Sequence, residues 1–273
     1  MSIESIPSLP VPIAKSKNEK IEKFDRWWIL VAVVVGLIVY LVTTQPDPYK
    51  RLVIFVRDGV WLTIYITIIS FMLVVVFGLI VGLARLSKGK IIRGIATVYV
   101  EIIRGIPMLV QIIYWYYAMP PLIKDLGRAL NIESMANFQA NGIIMAIIGL
   151  TFGYSAYMSE VYRAGIQSIS KGQMEAARSL GMTYVQAMRY VILPQAVRVI
   201  LPPMGNEFIT LLKDTALVSA VSVPDLTRRG REFSSTNFNP IETWTMVALL
   251  YLVMTLLATR LVAFLEKKAR YER

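Results

Sequence analysis

Ser170-Lys171-Gly172-Gln173-Met174-Glu175-Ala176-Ala177-Arg178-Ser179-Leu180-Gly181-Met182-Thr183-Tyr184-Val185-Gln186, followed after four residues by Val191-Ile192-Leu193-Pro194, interrupts two long apolar runs. Ser170 with Gln173, and Thr183 with Gln186, have the spacing in which a hydroxyl and a side-chain amide satisfy the free backbone amides of a helix start. Two short helices are expected. Gly181 between them suits the left-handed conformation that ends the first, and Pro194 marks a break or a helix start farther on. The expected shape is a helix, a sharp turn and a second helix.

Outward from this interlude lie six apolar segments near the length needed to cross a hydrocarbon core of about 30 Å. They run roughly from Trp27 to Thr44, Gly59 to Ala84, Ile91 to Met119, Gly142 to Val161, Tyr190 to Leu212 and Thr243 to Leu265. Lipid offers the backbone no hydrogen bonds and barrel-type alternation is absent, so each is expected to be a helix. Basic residues orient them, because connections on the cytoplasmic side are rich in Lys and Arg. Lys15, Lys17, Lys20, Lys23 and Arg26 precede the first segment, and Arg85, Lys88, Lys90 and Arg93 follow the second. Arg163, Lys171, Arg178 and Arg189 surround the interlude, and Arg260, Lys267, Lys268, Arg270 and Arg273 crowd the C-terminus. Both termini and the interlude are therefore expected inside. Lys50, Arg51, Arg57, Arg228, Arg229 and Arg231 fall outside, but Asp47, Asp58, Asp225 and Glu232 accompany them.

Composition agrees. Of 273 residues 56% are hydrophobic and 17% charged, which departs from an ordinary soluble domain toward lipid as solvent. The net charge of +11 then reads as cytoplasmic loop charge, not as a nucleic-acid surface. Without Cys or His the chain lacks the usual thiol, general base and metal ligands, so no enzyme chemistry and no cofactor or metal in this chain are expected. Residues 1 to 26 are rich in Ser, Pro, Lys and Glu and read as a flexible cytoplasmic tail, and residues 266 to 273 as a cytoplasmic C-terminal tail. The segment from 27 to 44 is expected to be a retained anchor, since Val42-Thr43-Thr44-Gln45-Pro46 lacks the small-x-small pattern of signal-peptide cleavage.

Glu175-Ala176-Ala177, three residues, Gly181, nine residues and Val191-Ile192-Leu193-Pro194 resemble the EAA motif of ABC importer permeases, with Val191 in place of the usual Ile. Val100-Glu101-Ile102-Ile103-Arg104-Gly105-Ile106-Pro107-Met108-Leu109-Val110-Gln111 resembles the E-x-x-R-G-T-P-L-L-V-Q stretch of the polar amino-acid branch, the histidine, glutamine, arginine and opine type. Ser155-Ala156-Tyr157-Met158-Ser159-Glu160-Val161-Tyr162-Arg163-Ala164-Gly165-Ile166 resembles its A-Y-x-A-E-x-x-R-x-G-I stretch, and Asn206-Glu207-Phe208-Ile209 with Leu212-Lys213-Asp214-Thr215 resembles another. Ile106 and Ser159 depart from the usual Thr and Ala. The resemblance spans residues 59 to 265 and implies an all-α membrane protein with the type I ABC importer transmembrane fold. Its five-helix core carries a coupling loop at about 166–194, and the N-terminal helix is an addition.

The resemblance also implies a multi-pass inner-membrane subunit working with ABC ATPase subunits that hold ATP and Mg, a second permease chain, an extracytoplasmic substrate-binding protein and a polar amino acid. Glu175, Ala176, Ala177 and Gly181 would form the coupling element seated in the ATPase, with the two alanines as its exposed small face. Glu175 would anchor it by pairing with a basic group or by capping an amide. The chain lacks a G-x-x-x-x-G-K-[ST] loop of its own. An ion-driven secondary transporter is the main rival, and it would show inverted repeats in place of the coupling loop.

Charges inside a membrane helix cost roughly 2.5 to 3.5 kcal/mol on insertion scales and face protein or water. Arg104 stands beside Gly105 and Pro107, and Glu207 follows Pro202-Pro203 and Gly205, so both lie at helix breakers. A guanidinium fork suits a substrate carboxylate, and a carboxylate suits its ammonium. Two readings stay open, substrate contact or a structural Arg104–Glu207 pair. Glu101 sits three residues before Arg104 and is positioned to pair with it, Glu160 and Arg163 suit an anchoring ion pair, and Ser155 and Met158 are candidates for a side-chain pocket.

Overall fold

The computed structural model describes residues 26–271, so the expected tail at 1 to 26 falls almost wholly outside the described residues. Helix α1 (Arg26–Thr44) leads into α2 (Pro46–Leu86), and α3 (Lys90–Gly105) into α4 (Met108–Ile113). A π-helical turn, Tyr114–Ala118, joins α4 to α5 (Met119–Ala129), and α6 (Glu133–Ala136) precedes the long α7 (Gly142–Gln167). The interlude forms α8 (Lys171–Ser179) and α9 (Tyr184–Ala187), and a second π turn opens α10 (Leu193–Asp214). A 3₁₀ stretch, Thr215–Val221, α11 (Leu226–Asn237) and α12 (Pro240–Tyr271) complete the order. Among the described residues all regular structure is helical.

Four helices, α1, α2, α7 and α12, are each long and apolar enough to cross a membrane, and α3 with the following helices through Ala129 adds a fifth if that bent pair is one span. Three of the expected segments differ in form. The second begins at Pro46, not Gly59, because Lys50, Arg51, Arg57 and Asp58 end the apolar run without stopping the helix. The third is not one rod, for it bends by 104° between Gly105 and Met108, where Pro107 has no amide to offer the ladder. The fifth starts at Leu193 and lacks the continuous apolar run of a lone span, since Arg198, Asn206 and Glu207 interrupt it; it packs against α7 and α12.

The core is the seam of α2 and α7. Gly78 and Gly82 are spaced four apart on α2, and a Cβ on Gly78 would lie 2.7 Å from the Met158 Cβ, while one on Gly82 would lie 3.1 Å from the Ser159 carbonyl and 3.1 Å from the Tyr162 Cβ. Gly78 has no room for more than hydrogen, and a Cβ on Gly82 would need its neighbours to give by a few tenths of an ångström. Lipid chains are as apolar as leucine, so membrane helices hold each other through close packing of this kind and through interhelical hydrogen bonds. Tyr162 adds such a bond, donating to the Val75 carbonyl at 3.1 Å. The same device recurs at Gly165, which admits Ile200 of α10, and at Gly205, which admits Val262 of α12.

At the far end of α2, α11 is fastened by polar contacts. The Leu226 amide donates to the Thr63 hydroxyl at 3.1 Å, and the Asp225 carboxylate accepts from the amides of Thr227 and Arg228 as an N-cap. Arg229 reaches across to Asp58 with its Nε at 3.0 Å, and Arg228 and Arg229 both bind Glu232. Asp47, Asp58 and Glu232 are thus ion-pair partners in space of arginines they accompany in the sequence, while Asp225 serves as the helix cap. At the opposite face α1 and α12 run antiparallel, with the Trp27 indole donating to the Leu256 carbonyl at 3.4 Å and Val31 and Val34 packing beside Leu256.

Gly78→Val is expected to separate α2 from α7 and to lower the melting temperature of the purified protein, by a destabilisation on the order of 1–3 kcal/mol. Gly36→Ala, where nothing lies within 4 Å, is expected to leave it unchanged. Equal melting temperatures for both variants would show that the seam tolerates a wider spacing.

Candidate functional site

Where α3 stops, its last carbonyls lose their helical partners inside an apolar environment, and such groups must be satisfied locally. Gln111, one turn into α4 and buried, does this: its Nε2 donates to the Ile103 and Ile106 carbonyls, both at 2.8 Å. The amide of Gln111 itself closes on Pro107 O at 3.1 Å. The bend is thereby a fixed feature. It leaves Arg104 in the last turn of α3, where a cation also interacts favourably with the helix dipole.

The Arg104 guanidinium lies 5.3 Å over the Tyr157 ring of α7. Together with Glu207 of α10 these two residues line a cavity of about 420 Å³, walled further by Glu160, Val161, Ala164 and Gly165 of α7 and by Val199 and Pro203 of α10. Among the described residues no carboxylate stands within the 4.0 Å ion-pair limit of Arg104, so neither Glu207 nor Glu101 forms the salt bridge that the sequence left open. Glu101 is exposed. Two opposite charges therefore face one space without neutralising each other by contact.

Glu160 also borders the cavity, but its oxygens are engaged. Arg85 of α2 and Arg163 of α7 both bind it, with Arg163 Nε at 3.1 Å, as expected of an anchoring pair. Beyond the cavity Tyr154 donates its hydroxyl to Asp214 at 2.7 Å, tying α7 to the end of α10. Ser155 and Met158 do not line the cavity. Both are buried, at 1% and 0% exposure, and Met158 fills the space over Gly78. The sequence pattern missed the reason: they sit on the face of α7 that meets α2.

In the interlude, Thr183 and Gln186 form the full reciprocal box, with the Thr183 amide donating to Gln186 at 2.8 Å and the Gln186 amide to Thr183 at 3.3 Å. The Ser170 hydroxyl accepts only from the Gly172 amide, and Gln173 does not complete a second box. Gly181 has φ of +85°, and the amides of Gly181 and Met182 bind the carbonyls of Arg178 and Ala177, the Schellman closure of a helix end. Glu175 and Ala176 face outward. Ala177 does not; it is 4% exposed, turned in against the second half of the element, which corrects the expectation of a two-alanine outer face.

Residues 74–271 match the family described as the binding-protein-dependent transport system inner membrane component. The chain is 35% identical over 213 residues to the glutamine transport system permease protein GlnP of Escherichia coli (strain K12), covering 78% of this chain and 92% of that one. It is 34% identical over 242 residues to the arginine transport system permease protein ArgU of Corynebacterium glutamicum, covering 84% and 75%. Among solved structures, an amino acid ABC transporter crystallised with histidines superposes with a TM-score of 0.69 at 36% identity, over 82% of this chain and 97% of that one. The inward-facing MetNI methionine transporter shares the fold, with a TM-score of 0.62 at 24% identity over 79% and 96%. The chain belongs to the family of binding-protein-dependent transport system inner membrane components, and its fold is that of the type I ABC importer permeases. Helix α1 lies before the matched residues.

Gln111→Met is expected to remove one hydrogen bond to each of the Ile103 and Ile106 carbonyls, the former keeping the Ile106 amide, at a cost of about 0.5–1.5 kcal/mol per bond lost. A lower melting temperature together with reduced uptake in vesicles is the expected result. Unchanged values for both would mean that the bend holds itself.

Proposed function

We propose that this chain is the translocation subunit of an ATP-driven importer for polar amino acids, with Arg104 receiving the substrate carboxylate and Glu207 its ammonium. The observation that carries the reading is the pair of opposite charges facing one cavity from α3 and α10 without an ion pair between them. Every free amino acid presents both groups, and a planar guanidinium grips a carboxylate with two parallel hydrogen bonds. Tyr157, under the guanidinium, holds the fork at the cavity wall. The glutamine and arginine permeases to which the chain is similar support the substrate class.

Energy enters from a separate ATPase that seats on the helix Lys171–Ser179, with Glu175 and Ala176 as the outer face. A short helix closed by a Schellman turn and followed at once by a capping box is stiff enough to transmit rigid-body motion of the ATPase into α7 and α10, which flank it. A second permease chain completes the pathway and an external binding protein delivers the amino acid. Both termini and the coupling element face the cytoplasm.

Arg104→Met and Glu207→Gln are each expected to assemble normally and to lower uptake by about tenfold or more, since a charge-assisted hydrogen bond contributes on the order of 1.5–3 kcal/mol. Restored uptake in the double variant would rule out substrate contact in favour of a structural pair. Ala176→Trp is expected to uncouple ATP hydrolysis from uptake or to release the ATPase, while substrate-stimulated transport at the normal rate would count against the seat. The native chain has no Cys, so a single Cys at Ser170 reports topology cleanly. It is expected to resist an impermeant thiol reagent added outside intact cells, and labelling there would overturn the orientation.

A further inference from the structure

Besides Glu207, α10 carries one further carboxylate, Asp214 in its last turn. The Tyr154 hydroxyl donates to it at 2.7 Å, and Tyr154 is the midpoint of the 26-residue span α7, so this carboxylate lies deep within the bilayer. Ionised groups at that depth are expensive and are usually paired. Among the described residues no Lys or Arg stands within 4.0 Å of Asp214. A neutral amide would accept the tyrosine bond without the cost of a charge, and the C-terminus of a helix disfavours a carboxylate as well. Tying two helices therefore does not account for an acid at this position. Tyr154 engages Oδ2, and the side chain is only half-buried.

Glu207 and Asp214 are seven residues apart, two turns or about 10 Å along one face of α10, and close enough to act on each other electrostatically. Each has a tyrosine of α7 opposite it, Tyr157 within the cavity and Tyr154 beyond it, with ring centroids 6.1 Å apart. Helix α10 runs away from the interlude, so Asp214 is the farther of the two carboxylates from the coupling element. From these positions we infer that Asp214 is a second station for the substrate ammonium, two turns outward of Glu207, where an arriving amino acid is held before its carboxylate reaches Arg104. The inference rests on Glu207 receiving that ammonium in the cavity. Tyr154 is a positioning residue, which fixes Oδ2 and leaves Oδ1 for the ammonium. Passing from one carboxylate to the next, the ammonium keeps a counter-charge where an unpaired one is most costly.

The test is initial uptake into proteoliposomes that hold the assembled importer and its binding protein, with radiolabelled L-glutamine and L-arginine, following whichever the native importer accumulates faster. Asp214→Asn keeps the shape and an acceptor for Tyr154, and is expected to lower kcat/KM by about tenfold or more without lowering the melting temperature. Asp214→Glu, which keeps the charge, is expected to recover most of that loss. Tyr154→Phe removes the tie and keeps the carboxylate, so it is expected to lower the melting temperature and to reduce kcat/KM less than Asp214→Asn does. A native kcat/KM in Asp214→Asn, or an equal loss in Tyr154→Phe, would overturn the station in favour of a structural tie. Glu207→Gln separates this inference from the reading beneath it. It is expected to abolish equilibrium binding of the same amino acid to the ATP-free complex, whereas retained binding would overturn the cavity reading and the station with it.

Discussion

The separation between α2 and α7 is set by two hydrogen atoms. Gly78 and Gly82 let the α2 backbone come close enough to touch Met158, Ser159 and Tyr162 directly, with no room for a Cβ at Gly78 and only a tight fit for one at Gly82. Within a bilayer there is no gain from moving a leucine out of lipid, so helix association rests on such contact and on a few interhelical hydrogen bonds. Arg85 reinforces the seam at one end through Glu160, and Tyr162 through the Val75 carbonyl. From α7 the same small-residue contact passes to α10 at Gly165 and on to α12 at Gly205. The positions of the cavity residues on α7 and α10 follow from this chain of contacts, because Tyr157 and Glu160 ride on α7 and Glu207 on α10.

The second constraint is the price of opening a helix in lipid. Pro107 ends α3, and the carbonyls it exposes would each be costly if left alone. Gln111 answers with one amide that serves two of them. The consequence is functional as well as structural, since a straight third helix would carry Arg104 along the rod, whereas the 104° bend leaves it at a helix end facing α7 and α10. Arg104 then meets an aromatic face and a cavity it shares with Glu207, without a salt bridge between them. On the other wall the expected break does not appear: α10 runs as one helix through Pro202 and Pro203 past Glu207, so only Arg104 stands at a helix end.

Much of this was legible in the residues. The capping box at Thr183 and Gln186, the positive φ at Gly181 and the break at Pro107 follow from local chemistry, and local chemistry is what a sequence displays most directly. The separation of Arg104 from Glu101 and Glu207 was not legible, because it depends on the bend angle and on the packing of three helices. Ser155, Met158 and Ala177 were misjudged for a shared reason. Each is a small or flexible residue, and which side of the helix it occupies is decided by the neighbour: α2 for the first two, the second half of the interlude for the third. The glycine spacing at 78 and 82 was visible and would have located the seam. It specifies a close approach without naming the partner helix.

The central claim is that the cavity receives both ends of an amino acid between Arg104 and Glu207. A cryo-electron microscopy map of the assembled importer with its transported amino acid bound tests it most directly. The account predicts density spanning the two side chains, with the carboxylate within hydrogen-bond distance of the Arg104 guanidinium and the ammonium within the same distance of Glu207. Substrate density elsewhere, with Arg104 and Glu207 joined to each other in both the free and the bound states, would contradict it.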